Sequence, residues 1–588
     1  MLIDSLKQQL LQVLQTLGVT EPQVTLEHPA DETRGDWSTN VALQYIKQLP
    51  TFKNPRALAE KIIEELADFT ANKPEIWAVE IAGPGFINFR LAREYFRTKI
   101  IKMAEEKQTD LLTNLKVKNQ AKKAIIEYSS PNIAKPFTIG HLRSTIIGDA
   151  IANIYEASGW QVFRDNHLGD WGTQFGKLIY AIKTWGNQEE ISRSARPIKE
   201  LVELYIKFHE QAELEPEIEN AGRTWFKRLE EDDPEARKLW QWCIELSWKE
   251  FQGIYGELGI SFSENNGRGY GESFFEDKME AVIRLLAEKL TPEKAQEHGA
   301  HYGEGNDGAK LIFFENDKFP PLMVLKKDGA TLYSTRDFAT DYFRLHHYKQ
   351  PDLIINEVGA EQSLYFQQLY EVEKIMGWFS EGQRVHVKHG LYRFKDKKMS
   401  TRKGNVIWLE DVIAEAKKRA EVLADNNQSI AHVVAIGALK WNDLKSESNR
   451  DIVFDWDEIL SMKGNSGPYV QYAAVRAKSV LKKAALEEFS PGFGDDSWKM
   501  DGVELGLARH LDRFEEAVEK ALTEFAPHQL ASFLFELAQR FNGFYNTHQI
   551  INAENSDARE RRCILTQATA NTLEYGLSLL GIQTPEEM

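Results

Sequence analysis

Cysteine is nearly absent: the 588 residues hold only Cys243 and Cys563, far apart and with no Cys or His neighbour at metal-ligand spacing. Neither a disulfide framework nor a structural zinc site is expected, and a reducing compartment, the cytoplasm, fits this usage. Long apolar runs are missing too. No stretch approaches the roughly 20 uncharged residues a membrane span needs, so no membrane partner is expected. The opening MLIDSLKQQLLQVLQTLG carries Asp4 and no small-residue cleavage site, and reads as a folded amphipathic helix and not a signal peptide. Basic excess is also lacking, since the net charge is −17. That excludes a chain basic throughout, but a nucleic-acid partner needs only a local patch.

What is present points to a large α/β protein. Such a length is too great for one hydrophobic core, and two to four domains are expected. Residues 1–115 read as an α+β domain: Leu6, Leu10, Val13, Leu14 and Leu17 recur at helical spacing, and WAVEIAGPGFINFRL reads as two strands around a Gly-Pro-Gly turn. The polar, Lys-rich LKVKNQAKK marks a boundary. Next come a short apolar strand (AIIEYSS), a glycine-containing turn, a helical pattern and a second strand (QVFRDNHLG). That alternation is the βαβ pattern of a parallel, Rossmann-type nucleotide-binding sheet. A helical, charged, Trp-rich insertion at about 186–310 interrupts it, after which LIFFEND, DLIINEVG and VHVKHGLYRF are expected to resume it. The catalytic domain is thus expected over 116–445, and the chain from 446 to 588 reads as helix after helix.

Two constellations carry chemistry. In Pro136-Phe137-Thr138-Ile139-Gly140-His141 a glycine turn opens a helix, so backbone can approach a phosphate at the positive helix end, and His141 can donate to charge developing on an α-phosphate. Alone, such a histidine also fits a cap or a satisfied core residue. In Lys395-Asp396-Lys397-Lys398-Met399-Ser400-Thr401-Arg402-Lys403-Gly404-Asn405 the clustered cations suit neutralising a departing pyrophosphate. Alone, this is equally a solvated basic turn.

Together the two resemble the paired signatures of class I aminoacyl-tRNA synthetases. The segment EYSSPNIAKPFTIGHLRSTIIGDAIANIYEASGWQVFRDNHLGDWGTQFGKL resembles arginyl-tRNA synthetase throughout, as do GDWSTN, AGPGFINF, LYSTRD and GPYVQYAAVR. The resemblance covers essentially the whole chain. It implies a catalytic set of His141, Lys135, Lys398, Ser400 and Arg402, with ATP on Thr138, Gly140, His141, Lys398 and Met399. For arginine it implies Glu127, Asn132, Tyr333, Asp337 and Gln362. A guanidinium is planar, permanently charged and best held by carboxylates in a fork, which suits Glu127 and Asp337. Glu127 lies in an apolar strand, where an unpaired carboxylate is costly. A cationic ligand would solve this, and an internal Arg or Lys would serve as well. Asp337 also fits a surface ion pair with Arg336 or Arg344, and Gln362 a plain helix-surface residue. His167, Asp170 and Trp171 read as site lining, or His167 as a buried histidine satisfying a turn.

Two departures stand out. The histidine motif of the family usually begins with a second His, and Thr138 holds that place. Thr401 replaces the second lysine of the generic loop motif. The resemblance further implies Mg²⁺ held mainly through ATP phosphates, no zinc, and tRNA(Arg) as partner. The amino-terminal domain would meet the tRNA elbow. Tyr469, Tyr472 and Arg476, in a stretch where aromatic and basic residues alternate, would serve the anticodon side. A monomer is expected. Rival readings are another class I synthetase, a tRNA-binding paralogue without catalysis (which Thr138 alone favours), and a nucleotidyltransferase.

Overall fold

A short apolar run buried on both faces makes a central parallel strand, and Ala124, Ile125 and Ile126 are wholly inaccessible to solvent. The computed structural model describes residues 2–394, 407–485 and 498–588. The chain divides into two compact units. One comprises Met1–Leu111, Ala473–Glu516 and Phe535–Tyr575, the other Leu112–Tyr472, Ala517–Leu534 and Gly576–Met588.

In the first unit, helix α1 (Leu2–Thr16) buries Leu6, Leu10, Val13 and Leu14, the apolar stripe of its 3.6-residue repeat. Strands β1 (Trp37–Thr39), β2 (Ile76–Ala82) and β3 (Phe86–Leu91) form an antiparallel sheet in the order β1-β3-β2. The Asp36 carboxylate accepts from the Leu91 amide at 2.7 Å and from Arg509 Nε at 2.6 Å.

The second unit is built on a four-stranded parallel sheet. Strand β4 (Lys123–Glu127) leads through the turn into helix α2 (Ile139–Ala157) and back to β5 (Gln161–Asp165). Helices α3 (Thr173–Trp185), α4 (Pro197–Leu214), α5 (Glu217–Glu230) and α6 (Pro234–Leu258) then form the insertion. Strands β6 (Ala300–Glu304), β7 (Lys310–Phe314) and β8 (Leu322–Leu325) make a separate antiparallel sheet. LIFFEND therefore does not resume the parallel sheet, as expected from the sequence; it is the middle strand of this second one. The alternation resumes with helix α7 (Tyr333–His347), strand β9 (Leu353–Gly359), helix α8 (Ser363–Met376) and strand β10 (Arg384–His389). VHVKHGLYRF breaks at Gly390, where a Cβ would lie 2.7 Å from the Arg450 backbone, and continues as β11 (Tyr392–Phe394). After helix α9 (Gln428–Leu444), strand β12 (Ile452–Phe454) pairs in parallel with β11.

The parallel sheet runs β10-β9-β4-β5. Its order reverses between β4 and β9, and the carboxyl ends flanking such a reversal form the crevice where α/β sheets hold ligands. Close packing of α2 on β4 is needed to shape that crevice. A Cβ on Gly148 would lie 2.1 Å from Tyr128 Cβ, and Tyr128 is fully buried. Gly148→Ala is accordingly expected to lower stability by about 1–3 kcal/mol or more, measured as an earlier thermal unfolding transition. Among the described residues no helix is long and apolar enough to cross a membrane.

Candidate active site

The loop from β4 to α2 is held in an unusual backbone path. Ser129, Ser130 and Ala134 have φ of 72°, 44° and 56°, left-handed values that residues with a Cβ rarely adopt. Such strain persists only where surroundings enforce it, and it gathers at functional sites. Three side chains hold it: the Ser144 hydroxyl of α2 accepts from the Ser129 amide at 2.9 Å and donates to the Glu357 carbonyl of β9 at 3.0 Å, Asn166 Oδ1 accepts from the Ser130 amide at 3.1 Å, and the Ser247 hydroxyl accepts from the Ala134 amide at 2.9 Å. Lys135 is exposed just beyond, and Asn132 bridges in parallel to Gly169.

At the start of α2, the Thr138 amide donates to His141 Nδ1 at 3.0 Å, and the Thr138 hydroxyl lies 3.1 Å from the same nitrogen. An Nδ1 that accepts leaves the ring proton on Nε2. Burial pushes His141 down to about 4, so the ring is neutral at pH 7 with Nε2–H as a donor. Thr138 thus orients the histidine. A Cβ on Gly140 would meet only Thr138 Oγ1, at 3.4 Å, so no packing demand accounts for that glycine. The turn is pinned by residues 407–409: the Ile139 amide donates to Ile407 O at 3.1 Å and the Leu409 amide to Phe137 O at 2.9 Å. Lys398, Met399, Ser400 and Arg402 lie outside the described residues.

The acidic side of the crevice gathers from β4, β5 and α7. Glu127, at the end of β4, is buried and accepts from Arg344 Nη2 at 2.5 Å. The same guanidinium donates to Asp165 Oδ2 at 2.7 Å and Asp341 Oδ1 at 3.1 Å. Of the two solutions open for Glu127 in the sequence, the internal arginine is the one present. Asp337 pairs with neither Arg336, which sits 3.5 Å from Glu272, nor Arg344. Among the described residues it meets only the Tyr365 hydroxyl and, at 3.8 Å, His167 Nε2. Burial pushes its carboxyl up to about 6. Tyr333 is 55% exposed and packs edge-on to Tyr365 at 4.8 Å, and Gln362 is exposed at the end of β9.

Asp170 and Trp171 are occupied in holding the insertion. Both Asp170 oxygens accept from Ser273, at 2.7 and 2.6 Å, and Trp171 is buried against Trp240 and Arg237. Tyr469, Tyr472 and Arg476 share one half-buried face of helix α10 (Gly467–Ala485), where Arg476 donates to Asn542 at 2.5 Å. Sequence reasoning missed two clusters. His389 at the end of β10 bonds Glu357 at 2.9 Å, and Glu357 together with burial governs it, the carboxylate winning and raising its pKa. Arg384 pairs with Asp341 at 2.7 Å and with Glu373 at 3.1 Å. The i, i+4, i+7 spacing of Asp337, Asp341 and Arg344 was the available signal for one shared helix face.

A parallel sheet with a histidine-capped helix at its order reversal suits a nucleotide, and the family match places this region among class I aminoacyl-tRNA synthetase catalytic domains. Residues 106–456 match the family described as tRNA synthetases class I (R), catalytic domain. Residues 4–91 match the arginyl tRNA synthetase N terminal domain, and 470–588 the DALR anticodon binding domain. The arginine–tRNA ligase of an Exiguobacterium species is 38% identical, with 97% of each chain covered. That of Clostridium perfringens is 39% identical over 91% of each. The chain belongs to the arginyl-tRNA synthetase family. Thermus thermophilus arginyl-tRNA synthetase shares the fold, with a TM-score of 0.79, 24% identity and full coverage of both chains.

Proposed function

We propose that this chain is an arginine–tRNA ligase. L-arginine attacks the α-phosphate of ATP to give arginyl-adenylate and pyrophosphate, and arginine then passes to the 3′-terminal adenosine of tRNA(Arg). The observation that carries this reading is a shared crevice edge. The neutral His141, with Nε2–H as donor, opens the helix after β4, and Asp337, which no Arg or Lys neutralises among the described residues, faces Glu127 at the end of that strand. One end suits a phosphate and the other a guanidinium. Little covalent chemistry falls to the protein, whose work is positioning and electrostatic stabilisation.

His141 would bond the α-phosphate, with the open backbone at Gly140 beside it. Lys135, Lys398 and Arg402 would neutralise the pyrophosphate, with Met399 and Ser400 beside the nucleotide. Mg²⁺ would be held through the ATP phosphates and shield their charge. Asp337 would take the guanidinium with Tyr333 and Glu127 beside it, while Asn132 and Gln362 take the amino and carboxylate end. Residues 1–115 would meet the tRNA elbow, 116–445 carry out the chemistry, and 446–588 (with Tyr469, Tyr472 and Arg476) meet the anticodon arm. The protein would act as a cytoplasmic monomer.

Aminoacylation of total tRNA with each of the twenty amino acids tests the assignment. Charging with arginine alone supports it, and charging with another amino acid rejects the pocket around Asp337. Asp337→Asn is expected to raise the arginine KM on the order of 10²-fold, the effect of unpairing a buried charge. The ATP KM should stay within about threefold, and arginine-dependent pyrophosphate exchange measures both.

A further inference from the structure

His167 stands just beyond β5 with its two ring nitrogens in opposite circumstances. Nδ1 lies 2.9 Å from the Tyr270 carbonyl, which has only lone pairs to offer, so Nδ1 carries a hydrogen. Nε2 is buried and, among the described residues, has no hydrogen-bond partner. It points toward Asp337 Oδ1, 3.8 Å away. In a neutral ring with Nδ1 protonated, Nε2 would present a lone pair to a buried carboxylate, a repulsive arrangement. A second proton removes the conflict.

The charges facing the ring come from every element around it. Glu127 faces it from β4, Asp337 and Arg344 from α7, and Glu272 from the short helix Glu272–Lys278. Asp170 faces it from its own loop. Arg344 serves Glu127, Asp165 and Asp341, and it also opposes a second proton on His167. The local balance is acidic. Burial and the Arg344 guanidinium both favour the neutral ring, but Glu127, Asp337 and Glu272 outweigh them and raise His167 above its ordinary 6.5.

We propose that His167 is the resident counter-cation of the arginine pocket, and that arginine binding expels its Nε2 proton. The inference rests on the arginine assignment made above. A guanidinium at Asp337 brings a permanent positive charge beside the imidazolium, and Arg cannot yield a proton whereas His can. The proton leaves Nε2 for the buffer, and no other bond changes. The bared lone pair then accepts from a guanidinium N–H, so His167 contributes to recognition in both states. It is a specificity residue: a substrate without an N–H-rich cation at this depth would leave the imidazolium in place and Asp337 already paired.

The test is calorimetric titration of the full-length protein with L-arginine at a series of pH values across the neutral range, in phosphate and in Tris, whose ionisation enthalpies differ. Linkage predicts that arginine binding releases a proton wherever the free protein holds one on Nε2, that the release fades above the His167 midpoint, and that binding tightens as pH rises toward that midpoint. His167→Asn keeps an amide donor for the Tyr270 carbonyl and removes the titrating nitrogen, so its release should vanish. Glu272→Gln removes a facing carboxylate and should move the midpoint of release to lower pH, which decides the matter even where the asparagine variant does not fold. Arginine binding to the wild type without proton release anywhere across the neutral range would overturn the inference. So would equal release from His167→Asn, or an unmoved midpoint in Glu272→Gln. Release confined to the acid side of about pH 6 belongs to Asp337 and also overturns it. No binding of arginine at all overturns the arginine assignment, and this inference with it.

Discussion

Replacing His141 with asparagine is expected to lower arginine-dependent ATP–pyrophosphate exchange by about 10²–10³-fold, the usual cost of removing one aimed donor from a transition state. The substitution separates two roles. An asparagine carbonyl can still accept from the Thr138 amide, which now bonds Nδ1 at 3.0 Å, so the start of α2 keeps its cap. What disappears is the Nε2–H donor. The loss should therefore fall on kcat with little change in the ATP KM, and the thermal unfolding transition should stay within a few degrees. The pH profile adds a further check. Burial pushes His141 down to about 4, so the neutral donor form is fully present from about pH 5 upward. No limb of the wild-type profile near pH 6–7 should belong to this residue, and none should disappear in His141→Asn. A limb that did disappear would mean that His141 titrates in the neutral range and is not held neutral by its burial.

Arg344→Met is expected to cost about 3–5 kcal/mol of stability, because it leaves buried carboxylates without their counter-ion. Arg344 is 2% exposed and serves Glu127 at 2.5 Å, Asp165 at 2.7 Å and Asp341 at 3.1 Å. The sign of the pH effect follows from Glu127. Burial alone would push its carboxyl up, but the Arg344 guanidinium, aided by His167, holds it below the usual carboxylate range. In the wild type this group contributes stability above its ordinary value, and the contribution is lost as pH falls through its lowered one. In the variant burial, the largest influence on Glu127, is opposed only by the weaker pull of His167 and raises the folded value. Stability there is lost as pH rises, so the gap between variant and wild type should be wider at pH 8 than at pH 5. Urea unfolding followed by tryptophan fluorescence at the two pH values measures it. A pH-independent gap would mean that lost packing, and not charge, dominates.

The local elements were largely legible in the sequence. AIIEYSS as a strand, the turn to His141 and the helix through residue 157 follow from period and turn chemistry, which neighbouring residues dictate. LIFFEND was misassigned because a short apolar run says only that it is buried, and not which strands it pairs with. Its partners, Ala300–Glu304 and Leu322–Leu325, were not distinguishable from helix or loop by pattern. The lining role expected of Asp170 and Trp171 failed to anticipate Ser273, Trp240 and Arg237, whose approach depends on how the insertion folds back. His389 and Glu357 escaped notice altogether. Each looks unremarkable in its own strand, and they meet only because β10 lies beside β9.

The sequence by itself determined which residues stand at the carboxyl ends of the strands and which chemistries they offer: a helix-opening histidine, a glycine in the turn before it, and several carboxylates. Period and turn type are short-range properties, so they can be read without knowing the fold. Only the tertiary structure decided how the charges are shared. Glu127 and Asp337 are equivalent candidates in the sequence. Arg344, 217 residues beyond Glu127, neutralises one of them and leaves the other facing Tyr365 and His167. Charge pairing acts through space, and burial sets its strength, so neither can be assigned until the chain has brought distant residues together.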